Sequence, residues 1–172
     1  MSRFVNTARR SLLSSIVAGA GAVVLGTSKA QAQTIPSTLK VNTGYTPVRT
    51  LNGSTLAFEM KGGVKEFRLV AEEIDHEFAP GTTAKCWGYN GSTPGPTIEA
   101  VEGDRVRILV TNNLPEHTTI HWHGILLPSG MDGVGGLSQP TIKPGETFAY
   151  EFDLNQSGTY MYHPHADEMV QL

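Results

Sequence analysis

The sequence predicts an all-β fold, a Greek-key sandwich or barrel, and three observations carry that prediction. Residues 105–111 and 147–154 alternate strictly: Val106, Ile108 and Val110 oppose Arg105 and Arg107, while Phe148, Tyr150, Phe152 and Leu154 oppose Thr147, Ala149, Glu151 and Asp153. A period of two puts each apolar set on one face of a strand. Turn residues then punctuate the chain at Glu102-Gly103-Asp104, Asn112-Asn113, Lys143-Pro144-Gly145 and Ser157-Gly158. Finally, nothing after residue 32 sustains a helical period.

The elements follow in order. Residues 1–32 read as a bacterial export signal. Ala8-Arg9-Arg10-Ser11-Leu12-Leu13 is a twin-arginine motif, an apolar small-residue run follows from Ile16 to Leu25, and Ala30-Gln31-Ala32 offers a cleavage pattern. The apolar run is too short for a membrane span, which takes about 20 residues. The expectation is a periplasmic protein with no membrane attachment after cleavage. Residues 33–63, rich in Thr, Pro, Asn and Gly, read as an extended N-terminal arm. Strands are expected at 64–72, with Phe67 and Leu69 on one face, and at 97–100, led in by Pro94-Gly95-Pro96. Further strands are expected at 105–111, 118–123, 147–154 and 159–163. The domain is read as 64–172. It ends at Val170-Gln171-Leu172 without a closing turn, so the reading is a sandwich lacking its last strand.

Charge excludes one class of partner. Four of the chain's 13 basic residues (Arg3, Arg9, Arg10, Lys29) fall in the signal; the remaining nine face 16 acidic residues, a net charge of −7. That argues against nucleic-acid or anionic-lipid binding. Cys86 is the single cysteine, so no intrachain disulfide framework exists. It reads as a small buried apolar residue.

The chemistry is concentrated in histidine. Four of the six histidines form two His-x-His pairs, His121-Trp122-His123 and His163-Pro164-His165. On a strand, i and i+2 share a face, so each pair presents two imidazoles side by side, backed by Ile120 and Trp122 or by Tyr160 and Tyr162. Imidazole is the commonest ligand for transition metals. Spacing alone admits zinc or copper. A mononuclear electron-transfer copper would need a thiolate, and Cys86 has no histidine nearby in sequence. Asp132, in Met131-Asp132-Gly133, reads first as a turn residue, with an alternative role orienting a ligand histidine or relaying protons. Met131, Met161 and Met169 read as packing, and His76 and His117 as surface or hydrogen-bonding residues. Pro164 cannot donate to a ladder, so the last strand is expected to end there.

Several ordered motifs together resemble the first cupredoxin (plastocyanin-like) domain of multicopper oxidases. They are Tyr89-Asn90-Gly91-x-x-Pro94-Gly95-Pro96-Thr97-Ile98, Gly103-Asp104-x-Val106-x-Ile108-x-Val110-Thr111-Asn112, Thr119-Ile120-His121-Trp122-His123-Gly124, Asp132-Gly133, Gln139-Pro140-x-Ile142-x-Pro144-Gly145, and Gly158-Thr159-Tyr160-Met161-Tyr162-His163-Pro164-His165. The resemblance implies copper as cofactor, dioxygen as oxidant and a reducing substrate the sequence does not name. It implies that His121 binds a type 2 copper, that His123 and His163 share one type 3 copper, and that His165 binds the other. It places Asp132 near the cluster with a role in proton supply. The family's remaining ligands, in His-x-x-His-x-His and His-Cys-His segments, have no counterpart here. The chain is therefore expected to supply half of a trinuclear site and no type 1 site, with a C-terminal domain or a second subunit supplying the rest. A different class remains as the alternative: a stand-alone exported copper-sequestering module or a cupin-like mononuclear site, since His163-x-His165-x-x-Glu168 is one residue short of a cupin pattern.

Overall fold

A computed structural model describes residues 2–3, 46–51 and 53–171. The export-signal reading, apart from Ser2 and Arg3, lies outside the described residues, as does most of the arm. The chain divides into two units, Met1–Asn6 with Pro47–Leu172, and Thr7–Thr46. The second, apart from Thr46, also lies outside the described residues.

Two sheets build the first unit. One contains β2 (Phe58–Lys61), β3 (Val64–Ala79), β5 (Arg105–Asn112) and β7 (Thr147–Asp153) in that order, with β4 (Thr82–Tyr89) paired to β3. The other orders β1 (Ser2–Arg3), β8 (Met161–Pro164) and β6 (Ile120–His123). Most pairs are antiparallel, but β3 runs parallel to β5, from Val64↔Arg105 to Ala71↔Asn112. Helix is confined, among the described residues, to a single 3-10 turn at Ser129–Met131 and to α1 (Glu168–Gln171). None is long and apolar enough to cross a membrane.

The alternating strands do what their pattern dictates. Val106, Ile108, Val110, Tyr150 and Phe152 point inward with Phe67 and Leu69, and meet Ile120, Trp122 and Tyr162 from the smaller sheet. Trp122 lies edge-on to Tyr150, with ring centroids 5.3 Å apart. This is an all-β cupredoxin-like sandwich, as the sequence predicts.

Three local expectations need correction. Strand β3 runs seven residues beyond Glu72 and pairs with β4, a hairpin the sequence reading misses. Its distal part, Glu72-Glu73-Ile74-Asp75-His76-Glu77, is acid-rich and lacks the β-branched alternation that marks a strand; pairing with β4 holds it extended instead. Residues 58–61, read as arm, form β2. Residues 97–100 do not form a strand; Thr97 only bridges Thr55 in parallel. The other predicted strands hold to within two residues at each end, and β8 ends at Pro164 as its missing N–H requires.

Candidate metal centre

The register of β6 against β8 gathers the histidines. His121 lies directly opposite His163, Trp122 opposite Tyr162, and His123 opposite Met161. Because Trp122 and Tyr162 bury their rings in the core, period two turns His121, His123 and His163 to the other face. Their ligand atoms all lie within 4.8 Å of one another. His163 is buried, His121 half-buried and His123 exposed. His165 follows the strand end. Its ring is 5.4 Å from that of His121 and stacks on His163 at 6.1 Å, centroid to centroid. The structure thus brings all four rings together, with three converging most closely.

Two main-chain carbonyls orient this set. His121 Nδ1 stands 2.7 Å from the Asp132 carbonyl oxygen, and His163 Nδ1 stands 2.9 Å from that of Pro164. A carbonyl only accepts, so both Nδ1 atoms carry a proton, and in the neutral ring this leaves the lone pair on Nε2. The Asp132 carboxylate is farther from His121, at 3.4 Å. Carbonyl orientation has no sequence signature, so the sequence points only to the carboxylate. Burial, first of all, lowers the His163 pKa from its ordinary value; the Pro164 contact opposes this, and the neighbouring histidines add to the lowering. A neutral imidazole is the form a metal requires.

The donor set fits a metal. His123 Nδ1 and His163 Nε2 face each other at 3.3 Å. Two imidazole nitrogens bound to one tetrahedral ion at about 2.0 Å stand about 3.3 Å apart. All the converging donors are imidazole nitrogens, which suit copper, nickel, iron and zinc better than magnesium or calcium.

Other sequence candidates fall outside the site. The sequence predicts Cys86 as a buried apolar residue, but it is only half-buried on β4, outside the core cluster, with Sγ 3.7 Å from the Ala84 carbonyl. His76 is half-buried, edge-on to Phe78, and His117 is exposed. Met131 packs on the core and its sulfur accepts the Glu151 N–H, whereas Met169 is 94% exposed.

Comparison with known proteins decides the lineage. A sequence-family profile described as multicopper oxidase matches residues 71–171. The chain belongs to the multicopper oxidase family. It is 52% identical over 86 residues to copper resistance protein A of Escherichia coli, covering 50% of this chain and 14% of that protein. To multicopper oxidase mco of Staphylococcus epidermidis it is 44% identical over 104 residues, covering 60% of this chain and 23% of that one. Among solved structures, a multicopper oxidase from Campylobacter jejuni described as a metallo-oxidase aligns with a TM-score of 0.61 at 37% identity. The alignment covers 69% of this chain and 25% of that one. The chain therefore spans about a seventh to a quarter of the length of these multicopper oxidases.

Proposed function

We infer that this chain is the copper-binding N-terminal portion of a periplasmic multicopper oxidase and contributes half of the ligands of a trinuclear copper site. The observation that carries the reading is the 3.3 Å approach of His123 Nδ1 to His163 Nε2, inside a three-histidine set on one sheet face. In this reading His123 and His163 hold one type 3 copper, His121 the type 2 copper and His165 the second type 3 copper. Copper bound there supplies one-electron chemistry that couples oxidation of a reducing substrate to reduction of dioxygen to water. The chain's own residues present imidazole nitrogens, fix the orientation of two of the rings, and hold the Asp132 carboxylate 3.4 Å from His121, where it serves proton supply.

Export rests on Arg9-Arg10 and the Ala30-Gln31-Ala32 cleavage pattern, and a cleavage site mapped by mass spectrometry on periplasmic material tests it. A role in copper tolerance is supported by the names of the copper resistance relatives. The exposure of His123 supports completion of the site from outside this chain, by a C-terminal domain or a second subunit.

Copper titration of this chain against a competing chelator tests the reading. Affinity is expected to fall at least about tenfold in His123→Ala and in His163→Ala. Equal affinity in wild type and both variants would overturn it. A single zinc ion bound tightly and lost only in Glu168→Ala would favour the mononuclear alternative.

A further inference from the structure

Among the described residues, strand β6 pairs with β8 along one edge, and the Asp132-Gly133 loop lies against the other. Within a strand, one residue's N–H and C=O point the same way. The Ile120 N–H donates to the Tyr150 hydroxyl at 3.0 Å, away from β8, so the Ile120 carbonyl also faces away from β8. The Asp132-Gly133 backbone lies against that carbonyl. A Cβ on Gly133 would stand 1.7 Å from the Ile120 oxygen, 2.4 Å from its carbonyl carbon and 2.9 Å from the His121 nitrogen. These are main-chain atoms of a packed strand, so they cannot yield as a flexible side chain would. Gly133 also has φ +81°, where a side chain is strained.

The same approach that forbids a side chain at Gly133 brings the Asp132 carbonyl to 2.7 Å from His121 Nδ1. Two residues on, the Gly135 N–H donates to the His165 carbonyl at 3.4 Å. One short loop therefore touches both His-x-His segments through main-chain atoms.

We propose that Gly133 is a positioning residue: by letting the Asp132 carbonyl reach His121 Nδ1, it fixes the His121 tautomer and aims Nε2 at the metal position. The second half of this statement rests on the reading of His121 as a ligand. The first half does not, because the tautomer exists without metal.

Gly145 is a matched control. Its φ is also +81°, but a Cβ there meets nothing within 4 Å. Gly133→Ala and Gly145→Ala share the backbone strain and differ in the clash. The test is nitrogen-15 NMR of the His121 ring in the metal-free full chain, at a pH where the ring is neutral. Wild type and Gly145→Ala are expected to show the Nδ1–H tautomer. In Gly133→Ala the Nδ1–H to Nε2–H ratio should fall about fivefold, as loss of one ordinary hydrogen bond implies. An unchanged ratio in Gly133→Ala, or an equal fall in Gly145→Ala, overturns the proposal.

Asp132→Ala keeps the main-chain carbonyl and decides the matter should Gly133→Ala fail to fold. Retention of the Nδ1–H tautomer supports the proposal. Its loss assigns the role to the carboxylate and overturns it, as does an Nε2–H tautomer in wild type. Zinc titration of the same samples separates the two readings. A wild type that shows the Nδ1–H tautomer but binds no zinc keeps Gly133 as positioner and removes His121 as ligand.

Discussion

At the scale of single residues, the site depends on side chains one strand-thickness behind it. Trp122, between the two histidines of its pair, is 1% exposed and touches Tyr150, Phe152 and Tyr162. Trp122→Ala is expected to cost about 3–5 kcal/mol, read from the urea midpoint. Tyr150 is fully buried, and burial pushes its pKa up to about 12, so it stays a phenol. Its hydroxyl accepts the Ile120 N–H; Tyr150→Phe strands that buried donor and should cost about 1–3 kcal/mol in the same assay. The four histidines were legible in the sequence from type and spacing. The Asp132 and Pro164 carbonyls that orient two of them were not, because every residue carries a carbonyl and only the fold decides which one meets a ring.

At the scale of elements, register does the positioning. His121 faces His163 because Trp122 and Tyr162 are paired in the core; a slip by one residue would turn indole and phenol outward and the imidazoles inward. On the outer face of the larger sheet, register builds an ion-pair ladder. Glu66 sits opposite Arg107, and Arg107 opposite Glu151. Lys61 approaches Glu66 at 2.5 Å, Arg107 reaches Glu151 at 2.6 Å, and Arg105 joins Glu151 and Asp153. Lys61 above all holds the Glu66 carboxyl below its ordinary range, and Arg107 above all does so for Glu151. The unfolded chain binds these protons near the ordinary value of about 4.3. Below that pH the unfolded state takes up more protons than the folded one. The ladder's contribution is therefore complete above about pH 4.3 and is lost as pH falls through the lower folded values. Melting temperature measured from neutral to acid pH should show that fall, and Glu66→Gln should make it shallower. A slope equal to wild type would remove Glu66 from the ladder's energetics. The alternation of β5 and β7 was plain in the sequence. The β3–β4 ribbon was not, since its acidic strand is held extended by pairing with a partner close in sequence but invisible to periodicity.

At the scale of the molecule, one face of the smaller sheet carries an exposed His123 beside a buried His163. In the proposed reading this face is completed by ligands from outside the chain. The isolated chain is then expected to bind copper without intense blue colour and without consuming oxygen when offered a phenolic dye. Oxygen uptake measured with an electrode checks this, and turnover by the chain alone would sink the half-site reading. Copper-dependent self-association, read by gel filtration, would indicate that a second copy can supply the missing ligands. A strict monomer that never forms a coupled copper pair would count against assembly in trans.

Local pattern determined the strands that alternate, the turns between them and the four candidate ligand histidines, because period two and residue chemistry act over a few positions. Tertiary structure alone decided how the two His-x-His strands pair, that the Asp132 carbonyl meets His121 Nδ1, and that Gly133 must remain glycine. Those depend on contacts between segments distant in the chain, such as His123 with His163, 40 residues apart, and Ile120 with Tyr150, 30 apart. No local propensity encodes such contacts; they arise when the two sheets close on a shared core.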